Sequence, residues 1–310
     1  MKKNLLSSGV VSGVIFCAMS AAFDVFVGNI TQQIEPALFI FYCFTMATVV
    51  FFTMGMVSNG QCYLKKSKQD RKLLSLVNLA VMLNWGGLIL SLKFLEPAVV
   101  GIASVACGPA LTIVIARYFF KESSSPSKAE TVIAWIILVG VFLMLANSYF
   151  GKSGLISTDY VDRTIGIVSV LFSAVGTVLY TFFSKNLSIK GWKAYEILGF
   201  RNILMLLVSF VYCIHQSVSL RLEDDLLLIV VLLSLVGHII PIFLIQRSIS
   251  ELDPIHVSLL LLLLPVFTLA LQFTDSRIIV SWESISAVLA ITFLLIVLCI
   301  SKVQAKRRGF

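Results

Sequence analysis

The residues of this sequence that could bind a ligand or carry a proton lie inside long apolar stretches. Asp24 stands in "SAAFDVFVG", Arg201 in "GFRNIL" and His238 in "LVGHIIP". Aspartate and histidine exchange protons, and arginine offers several N–H donors to an anionic group. An ionisable side chain at membrane depth is unfavourable and so predicts a functional site. Asp24 and His238 are therefore the candidates for proton coupling, with Asp24 slightly favoured because polar residues continue from it toward the middle of its run.

Structural roles are the alternative for the same three residues. Asp24 would then be solvated at a membrane interface, and His238 would be a hydrogen-bonded core residue. Arg201 would reach lipid headgroups, or pair with Glu196 or a backbone carbonyl. The residue types leave both interpretations open.

Two apolar runs carry small and polar residues on a single helical face. The first run has Gly9, Gly13, Cys17, Ser20 and Asp24, and the sixth has Ser173, Thr177, Tyr180 and Ser184, all three or four positions apart. Residues at this spacing share one face of a helix. Glycines on such a face permit close helix packing, and the hydroxyls either line a cavity or bond back to their own helix.

Asn84 and Trp85 stand near the middle of the third run. A buried amide needs hydrogen-bond partners, and an indole offers a flat stacking surface. We expect Asn84, Trp85, Tyr180 and His238 to face a central site near the membrane midplane, surrounded by helices 1, 3, 4, 6, 8 and 9.

Composition places these residues in a membrane protein. The 310 residues are 58% hydrophobic and 13% charged, with a mean hydropathy of +0.98. A soluble protein could not bury that much apolar surface, and continuous apolar runs near 20 residues favour membrane helices over a β-barrel. We predict an all-α integral membrane protein with ten spans, at residues 5–29, 36–57, 73–93, 97–120, 131–149, 165–186, 194–216, 225–247, 254–273 and 281–300. The longest connection, Ser58–Lys72, is expected to be a polar, basic loop.

The distribution of the net charge of +8 indicates a membrane topology rather than nucleic-acid binding. With ten spans, 18 of the 24 basic residues fall at one set of helix ends. The opposite ends carry five, and Arg201 lies inside a span. The excess of positive charge predicts that both termini face the cytoplasm. The N-terminal run also resembles a signal peptide, but we expect it to be retained as the first span.

Other classes of site lack their usual signals. The six cysteines show no metal or CxxC spacing, so we expect buried thiols rather than disulfides or metal ligands. A phosphate-binding GxxxxGK[ST] motif does not occur, which argues against ATP hydrolysis by this chain. We expect no cofactor and no catalytic residues.

A pair of prolines recurs in the two halves of the chain. "LEPAVVGIASVACGPALT" in the fourth run and "LDPIHVSLLLLLLPVFT" in the ninth both begin with Leu, an acid and Pro, and both place a second Pro three residues before a Thr. The second prolines, Pro109 and Pro265, cannot donate a backbone hydrogen bond and so free the carbonyls of Val105 and Leu261. The kinks either serve packing alone or expose these carbonyls to a cavity.

These motifs resemble the drug/metabolite transporter superfamily, in particular its EamA-type members. The resemblance rests on the paired proline segments, on "YTFFSKNLS" at the end of the sixth run and on "GFRNIL" in the seventh. It implies two inverted five-helix repeats, at residues 1–150 and 151–310. The second run departs from the pattern, with Phe41–Phe44 where the family has an arginine, and the first run has "SAAFD" in place of the usual Trp-Gly.

The resemblance implies a secondary transporter of a small metabolite, an amino-acid-like compound or an amphipathic drug, which we expect to be an exporter in a bacterial inner membrane. A proton is the coupling ion that we expect. The predicted substrate-binding residues are Ser20, Asn84, Trp85, Pro109, Thr177, Tyr180, Arg201, His238 and Pro265. Membrane lipids are the expected surroundings, and the protein is a monomer or a homodimer. A non-transporting scaffold or receptor, or a lipid-modifying membrane enzyme, is the alternative.

The charge asymmetry makes a testable prediction about topology. Reporter fusions and thiol labelling in cells should place both Cys62 and the C-terminal "KVQAKRRGF" on the cytoplasmic side. A C-terminus outside the cell would contradict both the ten spans and the inverted repeat.

Overall fold

The computed structural model describes residues 8–115, 128–155, 158–252 and 254–307. Within these ranges the chain is helical throughout, apart from turns and one isolated antiparallel bridge between Leu155 and Ile278. The long helices are α1 (Ser8–Ile30), α2 (Pro36–Asn59), α3 (Arg71–Phe94), α4 (Pro97–Ile115), α5 (Lys128–Tyr149), α6 (Tyr160–Ile189), α7 (Ala194–His215), α8 (Asp224–Glu251), α9 (residues 254–271) and α10 (Trp282–Arg307). Each predicted range thus contains a helix.

Eight of these helices in the described chain are long and apolar enough to cross a membrane. The other two contain shorter apolar segments, Pro97–Gly108 in α4 and Leu263–Thr274 at α9. Large apolar side chains cover the outside of the bundle, and Trp135, Phe142 and Phe293 are each more than 60% exposed. Such a surface is suited to lipid rather than water. The protein is an all-helical, multi-pass membrane protein.

α1 and α6 lie at the centre of the packing. α1 packs against α8 and α9, and α6 packs against α3 and α4. α2 contacts α7, and α5 contacts α10. The polar stripes predicted for the first and sixth runs are buried on these central helices, apart from the half-buried Thr177.

Four helices depart from regular geometry, one of them α7, which is interrupted by a turn at Arg201 and Asn202. α3 contains a π-helical segment at Met82–Gly86, and α8 contains one at Leu233–Ile239. The second segment ends just before Pro241, which cannot continue the backbone hydrogen bonding. α9 is interrupted at Leu262, three residues before Pro265.

The break in α9 meets a side chain from α1. The Cys17 thiol donates a hydrogen bond to the Leu260 carbonyl at 3.1 Å. The Leu261–Leu263 break therefore lies against a polar group of a neighbouring helix. α4 remains helical through Pro109, whose side chain lies outside the described residues.

The expected loop after α2 is wrong in part, because the chain forms a nine-residue helix at Gln61–Gln69, here called the connecting helix. Gly60 makes the turn into it with a φ of 49°, a conformation that favours glycine. Tyr63 anchors the connecting helix, since its fully buried ring fits between Gly55 and Gly199 and its hydroxyl donates to the Glu196 carbonyl at 2.9 Å.

Two acids stabilise the end of the bundle at which the connecting helix lies, which we call the basic end. The Glu196 carboxylate accepts hydrogen bonds from Lys66 at 2.8 Å and from Asn59 at 2.7 Å. The Asp70 carboxylate accepts from Lys190 at 2.5 Å and from the Trp192 indole at 2.9 Å. The connecting helix is thereby tied to the α6–α7 turn.

The opposite end is closed by a second set of polar contacts. The Glu96 carboxylate accepts from the Gly154 amide and from the Gln272 amide group, both at 2.8 Å. Arg277 binds the Asp275 carboxylate at 2.7 Å, and Asn29 also donates to it at 3.4 Å. Loops from distant parts of the chain therefore meet at both ends of the bundle.

Glycines let α3 and α6 approach closely. A Cβ atom at Gly87 would lie 2.4 Å from the Ser169 carbonyl oxygen, and one at Gly176 would lie 2.3 Å from the Asn84 backbone nitrogen. Backbone atoms cannot move aside cheaply at such distances. At the neighbouring Gly86, by contrast, the nearest atom to an added Cβ would be the Met205 sulfur at 3.9 Å.

This difference predicts opposite outcomes for two adjacent substitutions. Gly87→Ala should lower the thermal unfolding midpoint of the detergent-solubilised protein, because overpacking costs about 1–3 kcal/mol. Gly86→Ala is the matched control and should leave the midpoint within about 0.5 kcal/mol of wild type. Equal midpoints for the two variants would contradict the α3–α6 packing.

A second prediction concerns pH at the basic end. Partial burial raises the pKa of Asp70, but hydrogen bonds from Lys190 and Trp192 outweigh it and hold that pKa below its usual value. The ionised carboxylate therefore stabilises the fold above the unfolded-state pKa, near 4, and this contribution disappears as pH falls through the lowered folded-state value. Asp70→Asn should reduce stability at neutral pH by less than about 1 kcal/mol, because Lys190 is exposed.

The measurement is thermal unfolding of wild type and Asp70→Asn at neutral pH and in a series of increasingly acid buffers, over which we expect the difference between them to shrink. Asp225→Asn, at an exposed position, is the control and should show no such trend. A difference that persisted unchanged into acid would contradict the assigned role of Asp70.

Candidate functional site

Three aromatic rings surround a buried histidine between α1, α2, α3 and α8. The His238 ring lies 4.3 Å from Phe44, 4.6 Å from Trp85 and 5.9 Å from Phe23, measured between centroids. His238 is fully buried, and neither of its ring nitrogens has a hydrogen-bond partner among the described residues. We call Phe23, Phe44 and Trp85 the aromatic cage.

The π-helical segments provide two members of this arrangement. Trp85 lies in the segment of α3 and His238 in that of α8. A π turn inserts an extra residue and changes the direction in which the following side chains point, and such turns are frequent at functional sites. The remaining cage residues come from regular parts of α1 and α2.

A buried arginine lies beside this cage. Arg201 is only 1% exposed, and its Nε and Nη2 atoms have no hydrogen-bond partner among the described residues. Its guanidinium lies over the Tyr180 ring, 4.8 Å from the centroid, a favourable cation–π distance. The helix that carries Arg201, α7, packs against α2 and α8, which carry Phe44 and His238.

Tyr180 connects Arg201 to α8. Its hydroxyl is hydrogen bonded to the Gln246 side chain, whose nitrogen has no partner in the described part of the chain. Gln246 stands eight residues after His238, a spacing that keeps both on one side of α8. Tyr180, Arg201, His238 and Gln246, together with the cage, form what we call the central cluster.

Asp24 is the acid nearest to the cage in sequence, directly after Phe23 on α1. It is 1% exposed, and its Oδ1 atom has no hydrogen-bond partner within the described ranges. The alternative of a solvated Asp24 is therefore wrong, because the helix packing encloses it. An unpartnered buried carboxylate oxygen is unfavourable by several kcal/mol in order of magnitude.

Two of the structural alternatives for Arg201, lipid headgroups and Glu196, are also wrong. Its burial excludes an extension to lipid headgroups. The Glu196 carboxylate binds Lys66 and Asn59 instead of Arg201. The reason is the docking of the connecting helix, which places Lys66 beside Glu196.

Arg201 lies at a break in α7 that a side chain of α3 stabilises. The helix is interrupted by a turn at Arg201 and Asn202. Asn78 of α3 bridges the interruption, donating to the Phe200 carbonyl at 2.8 Å and accepting from the Leu204 amide at 3.0 Å. One amide side chain thus satisfies a donor and an acceptor that the regular helix would have paired.

The other predicted site residues lie in different surroundings. Asn84 Oδ1 accepts hydrogen bonds from the hydroxyls of Ser173 at 3.2 Å and Thr177 at 3.0 Å, along the contact between α3 and α6. Ser20 is buried on α1, and Pro265 is buried after the α9 break. The structure therefore brings Trp85, Tyr180, Arg201 and His238 together, and places Asn84 and Thr177 against each other.

Several residues of this region were missed by sequence reasoning. Phe44 belongs to the Phe41–Phe44 stretch noted as a departure from the family pattern, and it provides the ring nearest to His238. The spacing from His238 could have indicated Gln246. No pattern in the sequence singles out Phe23 or Asn78.

The site has no metal-binding character in the part of the chain that the structure describes. No group of three or more His, Cys, Asp or Glu side chains there could hold a metal ion. The described cysteines are free, with Cys62 exposed on the connecting helix and the other five buried.

Comparison with known proteins identifies the fold but no family. No protein-family profile and no curated protein matches the sequence. Seventeen chains of solved structures match the fold. One of them, described as "Crystal structure of protein", is 16% identical in sequence and superposes with a TM-score of 0.63. The match covers 98% of this chain and 99% of that protein. The protein thus shares its fold, over nearly the whole chain, with a protein of solved structure.

Proposed function

We propose that this protein is a secondary transporter that moves a small metabolite, an amino-acid-like compound or an amphipathic drug across a membrane by alternating access. The observation that carries the proposal is the central cluster. Arg201 and His238 are fully enclosed by an apolar helical bundle, yet they keep hydrogen-bonding atoms without partners in the described residues. A protein does not retain such groups for stability, whereas a site that binds a polar substrate requires them.

The chemistry of the cluster suits a substrate that is partly polar and partly apolar. The Arg201 guanidinium can bind a carboxylate or another anionic group, and the Gln246 amide can donate to it. The aromatic cage offers stacking surfaces to an apolar part. One intramembrane arginine is too little positive charge for a multiply phosphorylated nucleotide.

The helix packing supports ten spans arranged as two inverted repeats, residues 1–150 and 151–310. In such an arrangement, α1 to α5 correspond in order to α6 to α10. The packing of α1 against α8 and α9 then matches that of α6 against α3 and α4. The α2–α7 and α5–α10 contacts join corresponding helices of the two repeats. The π segments lie in α3 and α8, which are also counterparts. Irregular helices at matched positions are typical of transporters in which one half moves against the other around a fixed site.

This proposal includes the resemblance to EamA-type transporters, an orientation with both termini in the cytoplasm, and export from a bacterial cell across its inner membrane. Contacts close both ends of the bundle around the central cluster. Alternating access then requires the Lys66–Glu196 contact to open in one state and the Glu96–Gln272 contact to open in the other.

Counterflow in proteoliposomes tests the transport activity. Vesicles containing the purified protein are loaded with a high concentration of one unlabelled compound from a panel of amino acids, amines and amphipathic drugs. They should accumulate the labelled form of that compound from the external solution. Arg201→Gln should reduce uptake at least tenfold, because the lost charge-assisted bond is worth roughly 1.5–3 kcal/mol. Arg221→Gln, at an exposed position, is the control and should transport normally. Absence of counterflow across the whole panel would favour a scaffold or receptor.

Proton coupling is tested with the same vesicles. A substrate gradient should drive a proton flux, and Asp24→Asn or His238→Gln should abolish it. Asp225→Asn and His215→Gln, which alter exposed residues of the same types, are the controls. If both buried variants retained pH-dependent coupled transport, these residues would not carry the proton. If the wild type moved substrate only down its own gradient, it would be a uniporter.

A further inference from the structure

We propose that a groove at the basic end binds an anionic phospholipid from the adjoining membrane leaflet. The groove has a volume of about 380 Å³ and runs between the connecting helix, α3 and α7. It is separate from the central cluster, and it requires only that the bundle lie in a membrane, not that it transports. Its walls are formed by Ser67, Arg71, Leu74, Ser75, Asn78, Phe200, Ile203, Leu204 and Leu207.

The two long walls have the same spacing along the sequence. α3 contributes Arg71, Leu74, Ser75 and Asn78, and α7 contributes Phe200, Ile203, Leu204 and Leu207. The α3 set follows the positions i, i+3, i+4 and i+7 and therefore occupies one face over two turns, or about 10 Å of helix. The α7 set lines the same groove on both sides of the break at Arg201 and Asn202. The groove is thus an elongated channel parallel to the helices.

Arg71 provides a positive charge at one end of this channel that no acid in the described residues neutralises. Its side chain is exposed and forms no ion pair or side-chain hydrogen bond with any described residue. The two nearby acids are already engaged, since Asp70 binds Lys190 and Glu196 binds Lys66. The guanidinium is therefore available to a phosphate group, for which its planar donor arrangement is well suited.

The opposite wall is apolar and open. Ile203 is 43% exposed and Leu207 is 58% exposed on the lipid-facing side of α7. The channel therefore joins a basic end, lined also by serine hydroxyls, to an apolar surface. A free anion would leave the apolar wall uncovered, and the cationic part of a zwitterionic headgroup would offset the attraction of its phosphate to Arg71. A phospholipid with an anionic headgroup and an acyl chain matches both parts, as basic pockets between membrane helices do elsewhere.

The inner end of the groove gives this site a structural consequence. Asn78, which bridges the break in α7, is part of the groove wall together with Phe200 and Leu204. A lipid chain in the groove would contact the segment that carries Arg201. Lipid binding should therefore stabilise the broken conformation of α7.

Native mass spectrometry of the full-length protein, released from detergent with phosphatidylglycerol or phosphatidylcholine, tests the proposal. The wild type should bind phosphatidylglycerol about fivefold more tightly, as expected for one arginine close to an anionic headgroup. Arg71→Gln should abolish this preference. Lys72→Gln removes the same charge from the adjacent, exposed position outside the groove and should change the binding less than twofold.

A second pair of variants tests the apolar wall. Leu207→Trp should obstruct the groove and weaken the binding of both lipids, whereas Val208→Trp, on a neighbouring exposed position that does not line the groove, should not. Equal binding of the two lipids, or equal effects of Arg71→Gln and Lys72→Gln, would overturn the proposal. Displacement of phosphatidylglycerol by millimolar inorganic phosphate would also overturn it, because the site would then take a soluble anion.

Discussion

Exclusion of water from the interior of the helical bundle is the constraint on which the rest of this structure depends. A backbone or side-chain polar group there must find its partner within the protein. Asn78 meets this need for the interrupted backbone of α7, and Cys17 bonds to a carbonyl at the break in α9. Irregular helices are tolerated because neighbouring helices complete their hydrogen bonding. The same constraint makes Arg201 and His238 conspicuous, since each leaves two buried nitrogen atoms without a partner in the described residues.

Charge is used differently at the ends and at the centre of the molecule. At the ends, carboxylates and cations bind each other and bring together loops that are far apart in the sequence, as Glu196 and Lys66 do. At the centre, the positive charge of Arg201 faces an aromatic ring rather than a carboxylate. An arginine held by a ring keeps its N–H donors free, whereas an arginine held by a carboxylate does not. The ends of the bundle are therefore closed by ion pairs, whereas the centre keeps hydrogen-bond donors without partners in the described residues.

The sequence allowed the helices and the buried faces to be predicted, because both follow from local patterns. Continuous apolar runs gave the positions of the helices, and the three- and four-residue spacing gave the buried stripe that contains Ser20 and Asp24. The connecting helix was missed because Tyr63 is anchored on α7, at Gly199 and the Glu196 carbonyl, which are more than 130 residues away in the chain. The aromatic cage was missed in part for the same reason. Phe23 and Phe44 resemble every other phenylalanine in the sequence until the helices are assembled around His238.

The π segment of α3 also sets the rotational phase between the two parts of that helix. One additional residue in a turn shifts the phase of everything that follows by about 100°. Asn78, before the segment, faces the break in α7, and Gly87, after it, faces the backbone of α6. Without the extra residue, one of these contacts would have to be lost, because a uniform α-helix would present the two positions at a different relative angle. Asn78 and Gly87 are thus held in register by Met82–Gly86, and a deletion of one residue there would act on the far end of α3 as a rotation rather than as a local defect.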